Sequence, residues 1–440
     1  MNSINRKLKL CSDRKNTFAF ALLVLVTAIT LRFGYVNSVI VDTPIRADAS
    51  KYFQLAHNLV FNGIYSLAQS KPFSPTNYIT PGYPLFLSAL LNFSSKFENF
   101  YLLTLNIQAL LSSLTALLTY YLALRAMPVW ASFIVGLLVS LSPQLIIVSG
   151  YLLTETLFIF FLILAVFCCI QASINRKLSL FMYCGLLFGL SALIRPAILP
   201  FPLLIPLVLR KYLDTRQTIL ASVLIIIGTS LIWSSWSLWK LNNAAKGESN
   251  MAAAAISLGG YPNFIHKNPK LRGFPYREDP EYKAMSTDMV VAVKTILSRA
   301  SSEPVKYLVW FLYGKPVTYW SPSIIAGTGG PFIYPVVFSI FHSSRVPQAI
   351  LIGMMALHTY LVLLAALNCC FIVIKYFKSP HIDETSILIY FCVLFFLYFT
   401  LIHTILTPLP RYSFPGYPFA YLLAVNFVYS IFSYLQRKMA

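Results

Sequence analysis

Charge is the scarcest thing in this sequence. Only 11% of the 440 residues are Asp, Glu, Lys or Arg, against 58% hydrophobic residues, and just 14 are acidic. A water-soluble domain needs far more charge on its surface, so the composition excludes one. Short alternating apolar and polar segments are missing too, which excludes a transmembrane β-barrel. What remains are apolar runs of about 20 residues, which can satisfy their own backbone in hydrocarbon only as helices. The chain reads as an all-α polytopic membrane protein.

Other absences narrow the function. Seven cysteines occur (Cys11, Cys168, Cys169, Cys184, Cys369, Cys370 and Cys392), and all but Cys11 lie inside apolar runs, where cysteine acts as a small hydrophobe. They make no disulfide framework and no metal-ligand spacing. His57, His266, His342, His358, His381 and His403 show no paired spacing for a metal either. The basic N-terminus is followed by an apolar run too long for a signal peptide and without a clear cleavage site, so it reads as a retained first span. No simple internal repeat is visible, which weighs against an inverted-repeat transporter.

What is abundant is positive charge: 34 basic residues give a formal charge of +20. They cluster at the ends of apolar runs, the pattern of the positive-inside rule rather than of a nucleic-acid surface. Attraction to anionic lipid headgroups or phosphate-bearing substrates is a second contribution.

Arg6, Lys7, Lys9, Arg14 and Lys15 set the N-terminus in the cytoplasm. Spans are then expected at 17–36, 100–124, 129–148, 152–172 and 178–194, followed by a kinked run after Arg195 that carries Pro196, Pro200, Pro202 and Pro206. Further spans are expected at 218–240, 347–374 and 385–406, with a last one ending at Gln436-Arg437-Lys438. That makes about ten spans with both termini cytoplasmic. The chain divides into a first span (1–36), a first outer loop (37–99), a bundle (100–240), a second outer segment (241–346) and C-terminal helices (347–440).

The first outer loop holds the most suggestive chemistry. Residues Ala47 to Gly63 place Tyr52, Leu55, Ala56, Leu59 and Val60 at helical spacing, with Gly63 as the stop, which predicts a helix along the membrane surface. Asp48 stands at its start. The plainer account of an acid there is helix capping; the functional account is a general base where membrane meets water. Asp42 is the rival base, and the same plain account applies to Glu155 at the head of a later span. Arg195 and Arg411 fall at outer helix ends, where arginine either reaches for the headgroups or grips phosphate with its fork of donors. His57 reads as a surface residue. Tyr261, Tyr276, Trp310, Tyr319 and Trp320, in the second outer segment, are candidates to stack on sugar faces.

These residues also carry a resemblance. Asp-Ala-x-x-Tyr-x-x-x-Ala-x-x-Leu-x-x-x-Gly-x-Tyr, from Asp48 to Tyr65, followed by Thr80-Pro81-Gly82-Tyr83-Pro84, resembles the first outer loop of GT-C glycosyltransferases, in the branch of the protein O-mannosyltransferases and lipid A aminoarabinose transferases. Thr154-Glu155, the glycine-rich helix from Gly185 to Arg195-Pro196, and Pro410-Arg411-Tyr412-Ser413-Phe414-Pro415 are similar to further elements of that family, in the same order. The resemblance implies a polyprenyl-phosphate sugar donor, attack at the anomeric carbon from the outer face, inversion there, and Asp48 in the family's catalytic-acid position. It implies Arg195 and Arg411 as donor-phosphate groups and Glu155 as a secondary acid. Two departures matter. Many members have Asp-Glu where this chain has Asp48-Ala49, which leaves no support for a divalent metal cofactor; some have Lys where it has Thr80.

The expectation is therefore a GT-C membrane glycosyltransferase moving one sugar to a lipid-linked glycan, lipopolysaccharide or protein. Its compact length suggests a bacterial inner-membrane enzyme with a periplasmic site. The rival classes are a lipid flippase and a polyprenyl-lipid binder without catalysis. A flippase predicts charges buried mid-span, whereas the ionisable residues here gather in loops and at helix ends.

Overall fold

The computed structural model describes residues 2–94, 96–243, 251–264, 279–325 and 327–439, with side chains from Lys15 onward. The side chains of Arg6, Lys7, Lys9, Cys11 and Arg14, and the whole of His266 and Tyr276, lie outside the described residues. The apolar runs are helices. In chain order the first part holds α1 (Asn2–Val36), α2 (Ala47–Asn62), α3 (Gly82–Leu91), α4 (Phe97–Ala123), α5 (Val129–Leu141), α6 (Pro143–Ile147), α7 (Glu155–Asn175), α8 (Leu178–Ile194), α9 (Pro206–Tyr212) and α10 (Thr215–Asn243). Then come α11 (Met251–Gly259), α12 (Tyr282–Thr287), α13 (Met289–Ser302), α14 (Pro304–Val309), α15 (Lys315–Tyr319), α16 (Ile340–Ser343), α17 (Arg345–Lys378), α18 (Glu384–Ile405) and α19 (Tyr417–Met439).

Among the described residues seven helices are long and apolar enough to cross a membrane, and an eighth span arises if the bent pair α5–α6 is counted as one. This is an integral membrane protein. Two of the ten expected spans take another form. The helix α8 has 17 residues, and the run after Arg195 is a pair of 3-10 turns, Pro196–Ile198 and Phe201–Leu204, leading into the short α9. Four prolines in that run withhold the N–H groups that a continuous helix would use.

The helix α4 sits centrally, packed on α1, α5 and α7; α7 packs on α8 and α8 on α10, while α19 joins α17 and α18 to α5. Glycines set the closest approach in this bundle. A Cβ at Gly228 would stand 2.6 Å from the Met182 carbonyl oxygen, and one at Gly185 2.3 Å from the Ile225 carbonyl oxygen, so these glycines let α8 and α10 touch backbone to backbone. Gly82 does the same for α3, where a Cβ would come within 2.7 Å of the Leu193 backbone. The Thr80-Pro81-Gly82 element is thereby pressed against the end of α8, beside Arg195. Two short strands, β1 (Ile40–Val41) and β2 (Val336–Phe338), pair antiparallel and tie the two long connecting segments together.

Arg32, in α1, is fully buried, yet among the described residues no carboxylate pairs with it. The reason lies in the bend between α5 and α6, about 50°. Pro143 has no N–H to give the Val139 carbonyl four residues earlier, and the bend strands the Ser140 carbonyl as well. Arg32 supplies both donors, Nη2 to Val139 O and Nη1 to Ser140 O at 3.0 Å each, while Nε donates to Ser112 Oγ at 2.7 Å. Replacing Arg32 with Met leaves those acceptors without partners in apolar surroundings. The variant should lose about 2–5 kcal/mol of stability, read as a lowered unfolding temperature in detergent; an unchanged temperature would show the bend needs no arginine.

Candidate active site

Asp48, Glu155, Arg195 and Arg411 all line one cavity of about 440 Å³. Each comes from a different element: Asp48 from the first turn of α2, Glu155 from the start of α7, Arg195 from the residue after α8, and Arg411 from the 3-10 run Pro410–Gly416 ahead of α19. The site thus exists only where these four helix ends converge.

The four charges pair off. Arg411 Nη2 donates to Asp48 Oδ2. Arg195 Nη2 donates to Glu155 Oε1 at 2.7 Å, and its Nε to Thr154 Oγ1 at 2.8 Å. The Tyr412 ring lies between the pairs, with the Arg195 guanidinium 5.1 Å and the Arg411 guanidinium 5.3 Å from its centre. An electron-rich ring face suits a cation on such a site. These contacts displace the plainer accounts. The α2 N-cap is Arg46, without a side-chain cap bond, and Asp48 spends its carboxylate on Arg411. Glu155 likewise turns to Arg195 rather than to its own helix, and neither arginine reaches away toward headgroups.

The two acids differ in access. The Asp48 side chain is 34% exposed and can touch a substrate; Glu155, at 1%, is sealed behind Arg195 and serves to hold it. Burial works to raise the pKa of Asp48, but the Arg411 guanidinium, helped by Lys51 and Arg195, outweighs it and holds the carboxyl below its ordinary value.

Several lining residues carry no signal that singled them out in the sequence. Lys51, one turn beyond Asp48, is exposed with Nζ 5.4 Å from the centre of the Tyr78 ring, and among the described residues it has no carboxylate partner. Its three-residue offset from Asp48 on a helix could have revealed it. Tyr52, Thr80 and His403 also face the cavity. Asp42 is exposed, with its backbone N–H extending the β1–β2 ladder to Pro335 O, and neither it nor His57 lines the cavity. Of the aromatic candidates, Tyr261 donates to Asp279 Oδ2, Trp310 to Gly259 O and Trp320 to Thr400 Oγ1; all three are buried in packing roles. Tyr319 is buried behind the wall, its hydroxyl donating to Tyr412 O at 3.0 Å. Among the described residues no three His, Cys, Asp or Glu side chains gather as metal ligands.

A carboxyl held below its ordinary pKa stabilises the folded state above the unfolded pKa, about 3.9 for Asp, and that stability is lost as pH falls through the lower folded value. The gap in unfolding temperature between the protein and Asp48→Asn should therefore be full near neutral pH. It should narrow in the acid region below about pH 4. A gap independent of pH would mean that Arg411 does not favour the charged carboxylate.

Residues 82–233 match the dolichyl-phosphate-mannose-protein mannosyltransferase family, a stretch that includes Glu155 and Arg195. No curated protein sequence matches the chain. Among solved structures, the archaeal oligosaccharyltransferase AglB from Archaeoglobus fulgidus, in complex with an inhibitory peptide and a dolichol-phosphate, is similar over 96% of this chain and 51% of its own, at 15% identity and a TM-score of 0.54. The apo form of the Archaeoglobus fulgidus oligosaccharyltransferase aligns over 96% of this chain and 52% of its own, at 12% identity and a TM-score of 0.51. ArnT from Cupriavidus metallidurans bound to undecaprenyl phosphate aligns over 93% of this chain and 58% of its own, at 12% identity and a TM-score of 0.47. The chain spans about half the length of these oligosaccharyltransferases. The fold of the chain is thus similar to that of the membrane part of these oligosaccharyltransferases, and residues 82–233 resemble the dolichyl-phosphate-mannose-protein mannosyltransferase family.

Proposed function

We propose that this chain is a membrane glycosyltransferase that moves one sugar from a polyprenyl-phosphate carrier to a lipid-linked glycan, lipopolysaccharide or protein. One observation carries the reading: two arginines and an accessible carboxylate meet in a single cavity whose further wall, with Ile402, Leu406, Ala252 and Ala255, is apolar. Such a cavity suits a donor with an anionic head and a hydrocarbon tail. The family description names dolichyl-phosphate-mannose, and the archaeal oligosaccharyltransferase holds a dolichol-phosphate, which supports the same donor class here.

In this reading Arg195, braced by Glu155 and Thr154, and Arg411 receive the donor phosphate, with Lys51 as a further cation. Phosphate binding draws Arg411 away from Asp48. The carboxylate then loses the charge that holds its pKa down and becomes a stronger base beside the acceptor. The acceptor's oxygen or nitrogen attacks the anomeric carbon, and its proton passes to Asp48. The bond from that carbon to the phosphate oxygen breaks, its electron pair leaving with the lipid phosphate, whose growing charge the arginines stabilise. Direct displacement inverts the anomeric carbon and needs no covalent intermediate. With Ala49 beside Asp48 in place of a second acid, the step is written without a metal. The natural setting is a bacterial inner membrane, with termini in the cytoplasm and the cavity on the periplasmic face.

The pairing of both carboxylates with arginine favours one second reading, a lipid binder without catalysis. Membranes holding the protein or Asp48→Asn, supplied with radiolabelled polyprenyl-phosphate sugars, separate the two. Transfer by the wild type should fall by about 100- to 10,000-fold in the variant at equal expression. Equal transfer would show that Asp48 is not the base. A wild type that binds undecaprenyl phosphate yet transfers from no donor would establish the lipid binder.

A further inference from the structure

The outer wall of the cavity contains a histidine that the reaction above does not use. His403, in the last turn of α18, is buried, and its Nδ1 lies 3.0 Å from the Thr407 carbonyl oxygen. A carbonyl can only accept, so Nδ1 carries the proton, and in the neutral ring the lone pair sits on Nε2. That nitrogen has no hydrogen-bond partner among the described residues and is open to the cavity.

The ring is held firmly. Tyr319 stacks on it at 4.7 Å, and Tyr412 tilts against it at 5.5 Å. Thr407 is fixed in turn by its hydroxyl, which donates to Ala255 O at 2.7 Å. Lys315, buried beneath, donates through Nζ to the carbonyls of Thr404, Ile405 and Leu406. An acceptor nitrogen this rigidly placed discriminates by chemistry. It repels phosphate oxygens, which carry no proton to give, and it suits a hydroxyl or amino group.

We propose that His403 is a specificity-determining residue that accepts a hydrogen bond from a hydroxyl or amino group of the donor's sugar. The proposal rests on the glycosyltransferase reading. Its location follows from Tyr412, whose one ring meets both guanidinium groups and the imidazole, at 5.1, 5.3 and 5.5 Å. A phosphate gripped by the arginines therefore shares the cavity around Tyr412 with Nε2, and the group bonded to that phosphate is the sugar. An acceptor poised for a hydroxyl also rejects a donor lacking it, because the site's own polar atom is then left unpaired.

The test measures displacement of radiolabelled undecaprenyl phosphate from the protein in nanodiscs by unlabelled undecaprenyl phosphate and by undecaprenyl-phosphate hexoses and pentoses. His403→Phe keeps the ring and removes Nε2. It should bind the bare lipid phosphate as the wild type does, which also shows that it folds, and bind the wild type's preferred sugar lipid about tenfold more weakly. His403→Gln, whose amide oxygen can reach the place of Nε2, should recover part of that loss and serves if the Phe variant does not fold. Equal weakening toward the bare lipid, no weakening at all, or a wild type that prefers no sugar lipid over the bare lipid would each overturn the proposal. A wild type that fails to bind undecaprenyl phosphate would instead overturn the glycosyltransferase reading itself.

Discussion

Everything at the cavity depends on mutual neutralisation of charge. An unpaired carboxylate or guanidinium at the edge of an apolar bundle is costly, and the cost falls steeply once a partner stands at hydrogen-bond distance. The two pairs, Asp48 with Arg411 and Glu155 with Arg195, meet that demand from four separate helix ends. The charges therefore do structural work before any chemistry, because they fix where α2, α7, α8 and the approach to α19 converge. They differ in one respect that gives the cavity a direction. In the Glu155 pair only the arginine faces the cavity and its carboxylate is sealed behind it, whereas in the Asp48 pair the carboxylate itself is open.

Arg32 shows the same constraint applied to the backbone. There the unsatisfied groups are carbonyls, stranded by Pro143 at the bend between α5 and α6, and the arginine answers them directly. A charged residue in a membrane helix invites a functional reading by default, but here its donors are consumed by Val139, Ser140 and Ser112. Counting donors against acceptors separates the two cases. Arg195 and Arg411 face an open cavity, whereas Arg32 faces a closed break in a helix.

Much of this was legible in the sequence, and the boundary is physical. Apolar periodicity over 47–62 and the stop at Gly63 describe α2 closely, since both follow from local geometry; Gly63 takes the left-handed conformation at φ 66°. The proline run after Arg195 reads directly as broken helix. The residues that line the cavity were visible as chemistry, but not their pairing, since nothing local says whether Asp48 meets Arg195 or Arg411. Lys51 does not stand out in the sequence, because a lysine on a surface helix looks ordinary. The sequence around His403 shows only that it lacks metal-ligand spacing, and its tautomer depends on a carbonyl that sequence does not orient. The place of Trp310, Tyr261 and Trp320 in the second outer segment suggests sugar binding, while their N–H and O–H groups belong to internal partners. Side-chain partnerships across a bundle depend on how helices are set against one another, which periodicity does not carry.

The separation of Asp48 from Arg411 along the chain, 363 residues, has a consequence for how the protein is made. A polypeptide inserted from its N-terminus presents the acid long before its counterion. Through that interval the first connecting segment lacks both its ion pair and its strand partner, since β1 must also wait for β2. The cavity cannot take its final form until Arg411 is delivered. A chain that has not yet reached Arg411 thus carries Asp48 without the guanidinium and the strand pairing that shape its surroundings.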